Sequence, residues 1–216
     1  MAASPSPGAP STGKTCSADQ LAYVKARVDL HVAQRQVTIH QLTSTLAART
    51  HVSAGHRSTL SGLYTADASG LAAVDATVQG DTTCKTAVED GRTVVTDYRV
   101  YMLLVPQTHL VAASDTGAWS ASRLAATAPK LQTAIDTMTD ATKKAAAQAA
   151  LDDLTAKTTA AGADYAGVGD VVLGLVPADM PAAQSTLTAQ RAKVQAGHAA
   201  MTAALKDAKT IAGLLV

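Results

Sequence analysis

Few residues of this 216-residue chain are of types that carry out chemistry: two cysteines, six histidines, and one glutamate, Glu89, among seventeen acidic side chains. Cys16 and Cys84 lie too far apart for a C-x-x-C redox site, and no histidine stands at metal-finger spacing from either. The histidines His31, His40, His51, His56, His109 and His198 contain no i,i+4 pair and no H-E-x-x-H pattern. His51 and His56 read as exposed residues at the first helix turn. His198 and Met201, one turn apart, are of types that ligate haem, but a haem pocket needs bulky apolar lining, and the chain is 3% aromatic with no Phe. No G-x-S-x-G elbow is present, and Asp152 and Asp153, being adjacent on a helix, point about 100° apart and cannot share a substrate atom. Gly8 to Thr15 matches the phosphate-loop pattern G-x-x-x-x-G-K-[ST], yet only seven linker residues precede it, where a phosphate loop requires a strand. The reading is a chance match, with no catalytic residue, metal site or cofactor assigned and a non-enzyme expected.

The segment from Tyr98 to Leu110 is the exception. Tyr98, Arg99, Tyr101, Met102, Pro106 and His109 gather aromatic, cationic and thioether groups around a proline inside an apolar run. A helical Pro106 removes one backbone hydrogen bond and clashes with the carbonyl of Met102, so a kink or short break is expected there. Tyr98, Met102, Val105 and His109 would fall on one helical face. These residues form the candidate ligand or partner site; the competing reading is a packed central helix that tolerates its proline.

The pattern Tyr98-Arg99-Val100-Tyr101-x-Leu103-x-x-Pro106-x-x-His109-Leu110 resembles one found in uncharacterised, exported, Ala- and Thr-rich helical proteins of bacteria. The run Ala203 to Ile211 is similar to their last helix. The resemblance implies an all-helical fold and export, and no activity. The region around Pro129 and the glycines after Gly162 depart from the pattern.

These side chains must be positioned by helices. Residues 17 to 49 contain neither Gly nor Pro, and Leu21, Val24, Val28, Val32, Ile39, Leu42 and Leu46 recur mostly at steps of three, four or seven. Ser17 with Gln20 forms a capping-box pattern, and the helix would be about 50 Å long. A second helix runs from Ser53 or Ser58 to Gly80, and Asp81 or Thr82 caps a third, the most apolar and so the central one. A boundary is expected at Ser114-Asp115-Thr116-Gly117. A fourth helix follows, with Pro129 interrupting it or opening another; a fifth spans Lys143 to Leu175; residues 177 to 181 form a turn; a last helix reaches Leu214. The resulting fold class is all-α: an elongated antiparallel bundle of about six long helices, or two three-helix, spectrin-like halves. Residues 1 to 16 form a Pro/Ser/Ala linker and 17 to 216 the bundle, divisible into 17 to 114 and 117 to 216. With the first three helices running up, down and up, Cys16 and Cys84 come to one end of the bundle. A bridge there requires an oxidising compartment, so an extracytoplasmic location is expected.

Composition excludes other classes. A formal charge of +1, one Trp and five Tyr provide neither the charge nor the stacking surfaces of a nucleic-acid binder. A single Glu cannot supply a di-iron bundle. Val100 to Val105, the longest apolar run, is far short of the roughly 20 residues that cross a bilayer. The expected function is a non-enzymatic exported helical rod, acting as a structural, spacer or interaction module of the cell envelope with an unknown protein partner or by self-association. The alternative is a bundle that holds a small apolar or haem-like molecule beside the kinked helix.

Overall fold

A computed structural model describes residues 16–216, which are all-helical, with no strand among them. Residues 1 to 15 of the linker expected at 1 to 16, with its phosphate-loop pattern, lie outside the described residues. Eight α-helices follow one another: α1 (Ala18–Ala48), α2 (Ala54–Gly80), α3 (Cys84–Thr96), α4 (Val105–Ala125), α5 (Ala128–Asp136), α6 (Ala141–Tyr165), α7 (Val168–Leu173) and α8 (Ala182–Leu214). A π-helical turn, Val100–Leu104, joins α3 to α4, and a 3₁₀ turn, Pro177–Asp179, precedes α8. Five of the helices, α1, α2, α4, α6 and α8, are 21 to 33 residues long.

The helix ends follow local chemistry. At α1, Ser17 Oγ accepts from the Gln20 N–H while the Gln20 side chain accepts from the Ser17 N–H, the reciprocal box expected from sequence. Ser53 caps α2 by accepting from the His56 N–H. Thr83, rather than Asp81 or Thr82, caps α3 through the Thr86 N–H. Pro129 opens α5, where its missing N–H costs nothing. The expected fifth helix stops at Tyr165, because Gly167 adopts φ +69, a left-handed conformation that glycine enters without a Cβ penalty. Short α7 takes up the remainder.

Each long helix buries one stripe. Val28, Val32, Ile39, Leu42 and Leu46 of α1 face Leu60, Tyr64, Leu71 and Val78 of α2 and Val94 of α3 in a core that continues into α4, α7 and α8. Leu60, Leu71 and Val78 are completely covered, each worth about 1.5–3 kcal/mol of transfer free energy. A smaller cluster at the other end unites Ile135 of α5, Ala147, Leu151 and Leu154 of α6, and Ile211 of α8.

Helices α1, α2 and α3 pack on one another, and α4 packs on α1, α6, α7 and α8; the single central helix expected from about residue 82 to 113 is instead divided into α3, the π turn and the start of α4. The boundary at Ser114 to Gly117 does not exist as a break. These residues lie inside α4, so a division into 17 to 114 and 117 to 216 would cut a continuous helix whose buried side chains share one core with both sides. Nor are all neighbours antiparallel. Helices α6 and α8 are, since Lys157 pairs with Asp207 and Tyr165 sits at Gly197. Helices α4 and α8 run the same way: Gly117 and Gly197 both receive the Tyr165 ring, and Met102 to Ala113 line one cavity with Met180 to Arg191.

Candidate functional site

The α3–α4 connection determines where the candidate residues point. Helix α3 ends at Thr96, and Arg99 adopts φ 38, ψ 38, a left-handed conformation unusual for a side chain with a Cβ. The chain then makes a wide turn in which the Val105 N–H donates to the Val100 carbonyl, five residues back. The interruption therefore lies before Pro106, not at it. A wide turn moves the Met102 carbonyl off the path of the proline ring, and Pro106 becomes a first-turn residue of α4. Val100, Leu103 and Leu104 are buried, whereas Tyr101 and Met102 face outward, 48% and 47% exposed.

Tyr101, Met102, Pro106 and His109 line one open groove of about 510 Å³. Val105, Leu110 and Ala113 of α4 complete one wall; Met180 and, from α8, Gln184, Leu187, Thr188 and Arg191 form the other. Arg35 of α1 lies over the Tyr101 ring at 5.1 Å and fixes it from behind. Tyr98 and Arg99 are not in this groove. The left-handed residue reverses the chain before the groove begins, and Tyr98 packs instead on Gly70 of α2, where a Cβ would overlap its ring. The Arg99 Nε is buried without a hydrogen-bond partner. The two intervening motif residues are structural: Gln107 donates to the carbonyls of Val172 and Leu175 at 2.7 and 2.9 Å, anchoring the end of α7, and Thr108 bonds the Tyr64 hydroxyl at 2.8 Å.

Arg191 and the His109 imidazole line the groove, and among the described residues no carboxylate does. A neighbouring cleft of about 260 Å³ shares His109 and Ala113 and adds Arg49. Neither Arg49 nor Arg191 has a carboxylate within 4.0 Å among the described residues.

Cys16 and Cys84 sit at disulfide distance, Cα to Cα 5.8 Å, at the shared end of α1 and α3. His198 and Met201 do not converge: His198 is exposed with its ring edge on Tyr165, and Met201 is in the core. Asp152 and Asp153 also diverge, with Gln148 hydrogen-bonded to the first and Lys157 to the second. Among the described residues, no group of three His, Cys, Asp or Glu is placed to hold a metal.

One cluster was not legible in the sequence. His56, expected as an exposed loop residue, is wedged between two carboxylates: Nδ1 is 2.9 Å from Asp115 Oδ2 on α4, and Nε2 is 3.2 Å from Asp170 Oδ1 on α7. Asp115 also accepts from the Ser53 N–H at 2.8 Å. A carboxylate only accepts, so the arrangement favours the imidazolium, the form in which both ring nitrogens donate. Burial opposes that charge, but hydrogen bonds and attraction from Asp115 and Asp170 outweigh it and raise the His56 pKa above 6.5. His51 is likewise half-buried, its ring stacked on Trp119 at 3.6 Å. The partners of His56 are 59 and 114 residues away, and no local spacing announces them.

Compared with known proteins, the chain matches no family model, no curated protein and no solved structure.

Proposed function

We propose that this protein is a non-enzymatic, exported helical binding protein that holds a small apolar molecule in the groove between α4 and α8. One observation carries the reading: a turn built from a left-handed Arg99 and a widened π-helical segment exposes Tyr101 and Met102 at the mouth of an open groove. Exposing two large apolar side chains has a hydration cost that binding would recover. A volume of about 510 Å³ is within the ordinary range for small-molecule sites. Export is supported by the Cys16–Cys84 pair. No helix of the described residues is long and apolar enough to cross a membrane.

The test is native mass spectrometry of protein produced by secretion, compared with the Ala113→Trp variant, whose indole fills the groove. The expected result is a bound mass released on denaturation from the wild type and absent from the variant. A wild-type protein that carries no such mass and also fails to enhance the fluorescence of an anilinonaphthalene dye would overturn the reading.

A second reading, a structural or interaction module, is favoured by a different surface. Tyr23, Leu30 and Val37 recur every seven residues on the outer face of α1 and are 63%, 55% and 57% exposed. Seven-residue apolar spacing is what a helix presents to a partner helix. Sedimentation of the wild type against Leu30→Glu distinguishes a self-associating seam from a solvated one.

A further inference from the structure

The groove has a polarity along its length that specifies the kind of molecule it takes. Helices α4 and α8 run parallel, and Gly117 and Gly197 stand level on either side of Tyr165, an offset of eighty residues. Applying that offset along the groove places His109 and Arg191 at nearly the same height, beside Ala113. Tyr101, Met102 and Met180 gather at the other end, with Val105, Pro106 and Leu187 between. From His109 back to Met102 is about 10 Å at a helical rise, the span of an extended chain of about nine or ten carbons.

We propose that this groove binds a medium-chain amphiphile with an anionic head, the carboxylate meeting Arg191 and His109 and the chain lying toward Met102 and Met180. The proposal rests on the binding reading above and adds the chemistry of the ligand. Three observations support it. A guanidinium and an imidazole occupy one end, and among the described residues no acidic side chain lines the groove to neutralise Arg191. Arg191 is exposed and forms no ion pair among the described residues, so its donors are free for a carboxylate. The apolar end is built from two methionines, whose unbranched, polarisable side chains adapt to flexible chains better than rigid rings do. The adjoining cleft places Arg49 behind His109, which extends the positive potential at the head end.

The experiment is isothermal titration of full-length, oxidised protein with decanoate, decanol and decyltrimethylammonium, which share a chain and differ in head charge. Decanoate is expected to bind at one per chain, at least tenfold more tightly than decanol, with the cation weakest. Arg191→Gln, a change at an exposed position, should bring decanoate to within twofold of decanol. Ala113→Trp should abolish both. Equal affinities for decanoate and decanol, or an Arg191→Gln variant that keeps the tenfold preference, would overturn the anionic-head proposal and leave the binding reading standing. Failure of all three probes, with dye binding also absent, would overturn both.

Discussion

Replacing Asp115 by Asn tests whether the His56 imidazolium fastens α2 to α4 and α7. The side chain is only 14% exposed, and its Oδ2 accepts from both the Ser53 N–H and the His56 ring. Asn can present an oxygen at that position and keep the shape, so the variant removes charge rather than packing. A hydrogen bond between charged groups contributes about 1.5–3 kcal/mol and one between neutral groups about 0.5–1.5, so the expected loss is about 1–1.5 kcal/mol while the ring is protonated. The sign with pH follows from linkage. Because the folded pKa of His56 lies above 6.5, its stabilising contribution is complete below the unfolded value and is lost as pH rises through the folded one. At pH 5.5 the variant should therefore show the full loss, about 2–6 °C in melting temperature for a chain this size, and at pH 8.5 a smaller one. Asp170→Asn is the control: that carboxylate is 83% exposed, and its removal should cost less than about 0.5 kcal/mol at either pH. Urea unfolding followed by circular dichroism at both pH values measures all four differences. A loss from Asp115→Asn that is equal at the two pH values, or larger at pH 8.5, would refute the imidazolium as the fastening group.

Asp67, half-buried on α2 with its pKa raised to about 6 by burial, carries an opposite linkage: its charged form is disfavoured in the folded state, so it destabilises as pH rises above its unfolded value. Asp67→Asn should stabilise by about 1 kcal/mol at pH 7.5, the full shift being discounted for solvent screening, and by nothing below pH 4, as denaturant midpoints at the two pH values would show. Reduction of the Cys16–Cys84 bridge, which closes a separation of 68 residues, should cost about 4 kcal/mol and lower the melting temperature by about 10 °C; a melt unchanged by reductant would mean that the bridge is absent. Two glycine substitutions should have opposite signs in thermal melts. Gly197→Ala drives a Cβ into the buried Tyr165 ring and should lose about 1–2 kcal/mol, whereas Gly62→Ala meets open space on α2 and should gain up to about 1 kcal/mol.

The run Ser114-Asp115-Thr116-Gly117 shows why local reading reached the helices and missed part of their arrangement. Four residues of low helix propensity in a row imply a boundary when only the sequence is read, because each competes for backbone hydrogen bonds or lacks a Cβ. In the folded chain, three of them have roles that propensity does not register. Ser114 is buried and returns its hydroxyl to the Val111 carbonyl, Asp115 holds His56 and caps the Ser53 N–H, and Gly117 makes room for Tyr165. Contacts from α2, α6 and α7 arrive where intrinsic preference is weakest, and they more than offset a cost of about 0.5–1 kcal/mol per residue. The Tyr98 to Leu110 motif divides on the same principle. Tyr101, Met102, Pro106 and His109, which all follow the left-handed turn, line one groove. Unbroken helical phase would put Tyr98 on one face with Met102, Val105 and His109, and a single residue at φ 38 removes that phase. Periodicity is informative within an element; where a backbone reversal intervenes, only the tertiary contact, here Tyr98 on Gly70, decides which way a side chain faces.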